Sequence, residues 1–188
     1  VADRTVVFAR PVAPMHARTP CRESGPRGET PVAILSIPSR MLDPAPTTKL
    51  PPSQARGRLA SVREATATEP SMIEVTFYNT DYRLHLIPVG AVTASVGDRI
   101  EGQIAADAKR VDTVNSGGRY VEPVIGRPRR VQGSVVAVDA SSNSITVNAG
   151  MPIVCRLTDP RQRASDFERG DFVSFDVMRG ATFEQRGA

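Results

Sequence analysis

The chain has 188 residues, 40% of them hydrophobic and 23% charged, with a formal net charge of +4. That length suits one ordinary domain, or a small domain with a tail, and the average composition is globular. No apolar run approaches the ~18 residues of a membrane-spanning helix, and no basic region followed by an apolar core opens the chain, so the sequence points to a cytoplasmic protein.

Residues 1–70 carry 11 of the 16 prolines and 10 basic residues against 6 acidic ones, whereas residues 71–188 hold 14 of each sign. The whole positive excess therefore sits in the N-terminal part. Prolines at this density interrupt helices and sheet ladders alike, and residues 1–71 read as disordered. Their one apolar cluster, "PVAILSIP", is bracketed by prolines and suits a short docking segment. The chain opens with Val1, and the first strongly patterned segment begins at Met72. Met72 is thus the expected native start, with a β domain over 72–184 and a tail over 185–188.

From Met72 the pattern is β. "MIEVTFY" alternates, with Ile73, Val75 and Phe77 on one face, as a half-buried strand does. "YRLHLIPV" repeats the alternation with Leu84 and Leu86. "VGDRIEGQIAAD" begins a third strand after a Gly-Asp turn, with Ile100, Gly102 and Ile104 in phase. "GRYVEPVIG" is a fourth candidate, where Pro123 requires an edge or a bulge. "RVQGSVVAVD", "ITVNA" and "PIVCRLT" follow as strands, the first two joined by the turn "ASSNS". Over 160–169, "PRQRASDFERG" predicts a short helix, with Asp159 as its N-cap, Pro160 at its first position and Gly170 as its stop. "DFVSFDVM" returns to strand with Val173, Phe175 and Val177 inward. "VGDRIEGQI" and "RGDFVSFDV" share one grammar: Gly-Asp, then alternating apolar residues.

The order strand, hairpin strand, strand, short helix, strand over 131–184 resembles a five-strand OB-type barrel. The resemblance implies a mainly β fold, either one small OB-like barrel or two small β units, of a kind that binds ligands on its surface. "VQGSVVAVDASSNSITVNAG" also looks like the opening hairpin of the small periplasmic copper-binding barrels. Those use His, Met and Trp as ligands. This chain has no Trp and no His beyond His85, so no metal or other cofactor is expected.

No catalytic residue stands out. His16 lies among prolines, and His85 shares a polar strand face with Arg83. Asp98, Glu101, Asp107, Asp171 and Asp176 fit Gly-Asp turns and solvent-facing strand positions. GxSxG, P-loop, HExxH and GxGxxG motifs are absent, as is Cys/His metal spacing. Cys155 alternates with Ile153 and Leu157 as a buried small hydrophobe.

Two binding functions remain. The first is a protein-interaction or assembly module. The second is single-stranded nucleic acid, which OB-type barrels hold with a basic groove and aromatic platforms. For the latter the candidate residues are Arg119, Tyr120, Arg127, Arg129, Arg130 and Phe172, with Arg156, Arg161 and Arg163 as further cations. Zero net charge over 71–188 weighs against it, because phosphate contacts dominate nucleic-acid affinity. The protein-binding reading is therefore preferred.

Overall fold

Period-two alternation places one apolar face inward on nearly every segment, and the result is a mainly β structure. The computed structural model describes residues 50–186, and these form eleven strands. In chain order they are β1 (Gln54–Arg63), β2 (Met72–Phe77), β3 (Arg83–Val89), β4 (Arg99–Thr113), β5 (Tyr120–Glu122) and β6 (Ile125–Gly126). Then follow β7 (Arg130–Asp139), β8 (Ser144–Asn148), β9 (Pro152–Leu157), β10 (Phe172–Val177) and β11 (Thr182–Gln185).

The pairings return on themselves twice. In the first ring, β1, β2 and β3 form an antiparallel meander. β11 runs parallel to β3 and antiparallel to β4, and β4 pairs back onto β1. In the second ring, β7, β8 and β9 form the meander. The far half of β4 runs parallel to β9 and antiparallel to β10, and β10 pairs back onto β7. β4 is long enough, at 15 residues, to serve both rings. The change of ring falls at Ala105, which pairs with Thr182 of β11 and with Val154 of β9. The two rings share one plan, and each takes its fifth strand from outside its own consecutive four.

The shared grammar seen in sequence extends to individual hydrogen bonds. Gly97 N–H donates to Leu59 O at 2.7 Å and Leu59 N–H to Asp98 O at 3.0 Å; Gly170 N–H donates to Val135 O at 2.9 Å and Val135 N–H to Asp171 O at 2.8 Å. Both glycines need a positive φ, +97° and +107°, which costs glycine no steric strain. The carboxylates of Asp98 and Asp171 each accept from the backbone N–H three residues upstream, at Ser95 and Glu168. A β-bulge follows Leu59 in β1 and Val135 in β7.

One continuous core fills both rings. Leu59, Ile73, Val75, Leu84, Leu86, Ile100, Ile104 and Phe183 are fully buried in the first, and Val131, Val135, Ile145, Val147, Ile153, Cys155 and Val173 in the second. The inward phases expected for β2, β3, β4, β8, β9 and β10 are those observed, except that Val177, beyond a register shift after Phe175, is only half-buried.

Two expectations are corrected. The domain starts before Met72, because β1 closes the first ring and buries Ala55 and Leu59. The expected break at 71 fails physically because Pro51, Pro52 and Pro70 flank β1 and leave its ladder uninterrupted. The remainder of the expected disordered segment, residues 1–49, lies outside the described residues. The helix expected over 160–169 is a single 3-10 turn, Ala164–Asp166. The Gln162 amide accepts from Val111 N–H at 2.8 Å and donates to Val111 O at 2.7 Å, acting as a strand partner for β4. Asp159 and Asp166 cap the N–H groups of Arg161 and Arg163 locally. These contacts hold the segment open where a helix would need to wind. Phe167 still anchors it, buried in the core.

Candidate functional site

Where β4 passes from one ring to the other, the outward faces of several strands meet in a groove of ≈ 870 Å³. Alternation sets its content: the residues between the core positions of β4, β8 and β9 face it. β4 contributes Gln103, Ala105 and Asp107, β8 contributes Ser144 and Thr146, and β9 contributes Val154 and Arg156. β7 adds Ala137 and Asp139, and Ser142, Arg179, Gly180 and Thr182 also line the groove. Ser144 and Thr146 are buried although they lie on the face away from the core, so both faces of β8 are enclosed.

The groove carries charges of both signs. Arg156 binds Asp107 through two parallel hydrogen bonds, Nε–Oδ1 at 2.8 Å and Nη2–Oδ2 at 2.7 Å. That bidentate pairing raises the Arg156 pKa above its ordinary value. Asp139 accepts from the hydroxyls of Ser141 and Ser142 at 2.6 and 2.7 Å. These bonds stabilise its charged form and pull its pKa down to about 2. The Ser142 and Ser144 hydroxyls lie 2.8 Å apart. Arg179 is exposed and has no carboxylate partner among the described residues. Among the described residues no aromatic side chain lines the groove.

A second cleft of ≈ 420 Å³ shares Arg179 and Gly180 with the groove. Pro123, Ile125, Pro128 and Val177 make its apolar wall, and Arg127 and Arg129 join Arg179 as its cations. The residues chosen from sequence thus divide. Arg127 and Arg129 come together here. Arg130 lies on the outer face of β7, 3.9 Å from Asp176, beside a separate cleft with Lys109 and Arg110. Tyr120 stands opposite Gln132 and donates its hydroxyl to that side chain at 3.2 Å. Phe172 lies opposite Ser134 on the same outer sheet face, half-buried. Arg119 is exposed in the loop before β5. The divider is the chain path itself: β5 pairs with β7, but β6 turns away to pair with β3. Arg127 follows it, its Nε donating to Met72 Sδ at 3.1 Å.

The acids considered for catalysis are dispersed. Asp98 and Asp171 cap turns, Glu101 pairs with Arg56 and Asp107 with Arg156, and Asp176 faces Arg130. Glu74, opposite His85, is engaged by Arg83 and Ser61. Among the described residues no group of three or more His, Cys, Asp or Glu side chains is placed to hold a metal ion, and no helix is long and apolar enough to cross a membrane. Burial, reinforced by the nearby Asp107 charge, pushes the Cys155 thiol pKa far up, so the sulfur stays protonated in the core.

Sequence reasoning took the groove residue Asp107 for a solvent-facing strand acid and did not single out Ser144, Thr146 and Arg179. The outward phase of Ser144 and Thr146 in "SITVN" was legible. Their convergence with Arg179 depends on ring closure, which alternation does not encode.

Compared with protein-family models, curated proteins and solved structures, the chain matches none.

Proposed function

We propose that this protein is a non-catalytic binding module for protein partners, built from two OB-type strand units, and that it holds an extended peptide segment in the groove between them. The observation that carries this reading is the groove's content. Its floor is small and apolar at Ala105, Ala137 and Val154, its walls present hydroxyls, and its rim carries carboxylate and guanidinium groups. A peptide offers matching N–H, C=O and side-chain charges of either sign. In OB-type units the face of the second and third strands is the usual ligand surface, and in the second ring those strands are β8 and β9. Single-stranded nucleic acid fits less well. Stacking supplies ~1–3 kcal/mol per base in such grooves, and this one has no aromatic surface, while Asp107 and Asp139 would repel phosphates.

The test is panning of a random peptide library against the full chain, followed by the Ala137→Trp variant, which fills the groove floor. Selected peptides should bind the variant at least about tenfold more weakly, a loss of about 1.4 kcal/mol, with an unchanged circular dichroism spectrum. Recovery of no peptide, or equal binding to the variant, removes the reading.

A further inference from the structure

We propose that the arginine cleft beside the groove is a subsite for acidic side chains, so that the segment bound by this module is an acidic peptide. This rests on the groove reading and specifies its ligand.

Charge isolation is the first support. Five arginines of the described chain face a carboxylate: Arg56 with Glu101, Arg83 with Glu74, Arg110 with Asp112, Arg130 with Asp176 and Arg156 with Asp107. Of the described arginines outside these pairs, Arg127, Arg129 and Arg179 stand together, lining one cleft that contains no acid among the described residues. Three like charges brought together without a counter-charge repel one another, and an incoming carboxylate relieves that repulsion. A guanidinium fork matches a carboxylate in two parallel hydrogen bonds.

The cleft is also built rather than incidental. Arg129 N–H donates to Glu122 O at 2.6 Å, Val177 N–H to Arg129 O at 2.7 Å and Arg83 N–H to Val124 O at 2.9 Å. Parallel pairing of β6 with β3 fixes the loop on its other side. Arg127 uses Nε on Met72 and keeps its terminal nitrogens for a ligand. The wall of Pro123, Ile125, Pro128 and Val177 lowers the local dielectric, which strengthens each ion pair.

Continuity with the groove identifies the occupant. Arg179 and Gly180 line both spaces, so a chain lying in the groove reaches the arginines within a few residues, at ~3.3 Å per residue. The chain's own residues 1–49 are poorly suited, with seven basic residues against four acidic ones. A phosphate backbone would meet Asp107 and Asp139 in the groove and find no ring to stack on.

The experiment uses peptides selected from the random library on the full chain. The selected pool should be enriched in Asp and Glu over the input. Fluorescence anisotropy with a selected acidic peptide should show affinity falling as salt rises. Arg127→Glu with Arg129→Glu, and separately Arg179→Glu in the exposed turn, should each weaken binding by about tenfold or more. Replacing the peptide's acids by lysine should restore binding to the double variant, which a merely structural role of the arginines would not allow. A pool without acidic excess, or unchanged affinity in both arginine variants, overturns the subsite. If Ala137→Trp still abolishes binding in that case, the groove reading survives it; if Ala137→Trp is also silent, both fall. Displacement of the peptide by oligothymidylate through the same arginines overturns the acidic peptide as occupant.

Discussion

The sharpest test of the fold is Phe183→Ala. Phe183 is the one large apolar side chain of β11 and is 1% exposed. Its ring lies over Gly102 of β4, so closely that a methyl group there would come within 2.6 Å of Phe183 Cζ. Truncating a buried phenylalanine costs ~3–5 kcal/mol, depending on how far the site collapses. Gly102, which the ring covers, has no side chain to move into the space, so a value near ~4 kcal/mol is expected. At ~2.1 cal/mol/K per residue over residues 50–186, the unfolding entropy is ~0.29 kcal/mol/K, and Tm should fall by about 14 °C. The assay is thermal unfolding of the full chain followed by circular dichroism. Phe172→Ala serves as the control, since that ring is half-buried on the outer face, and its Tm should drop by only about 3 °C. A drop of about 4 °C or less for Phe183→Ala would refute the placement of β11 between β3 and β4.

Leu59→Ala, on the strand that precedes Met72, should destabilise the protein by ~2–5 kcal/mol, read as a lower urea midpoint, and a chain beginning at Met72 should lack the native β spectrum. In a Cys21→Ser background, Cys155 should resist disulfide reagents at pH ~8 until urea unfolds the protein; rapid labelling under native conditions would contradict its burial. Asp139 has its carboxyl pKa lowered from 3.8 to about 2, so its folded state favours the charged form. Its contribution to stability is complete above pH 3.8 and lost as pH falls through about 2. The Tm difference between the wild type and Asp139→Asn should therefore close over that window, and a pH-independent difference would refute the assignment. Arg156→Ala should leave Tm within about 3 °C of the wild type, because an exposed ion pair contributes little to stability, measured by the same thermal unfolding.

What the sequence revealed was the local part of the fold. Ile73, Val75 and Phe77, or Val173 and Phe175, declare their face by alternation alone. β1 was hidden because "QARGRLASVR" has one large inward residue, Leu59, beside the small Ala55 and Gly57, and lies among prolines. β11 was hidden because four residues with one phenylalanine carry almost no pattern. β4 was recognised as a strand, but a run of alanines after Ile104 gives no sign that it changes ring. The candidate arginines form a cluster in sequence that the pairing of β5 and β6 with different strands pulls apart. Arg127 and Arg129 then gain a companion, Arg179, from roughly 50 residues away, and proximity of that kind is decided by register.

The exchange of fifth strands orders events during synthesis. β3 ends at Val89, but the strand that pairs with it in parallel, Thr182–Gln185, is made only after every strand of the second ring. At about 5–20 residues per second, the ribosome takes roughly 5–20 s to cover that interval. Through it, β3 and β4 flank an open gap in the first ring, and unpaired strand edges are sites of aberrant association. The second ring, by contrast, finds its fifth strand already waiting in β4. The half of the protein that is translated last is thus the half able to finish first, and its completion delivers the strand that seals the other.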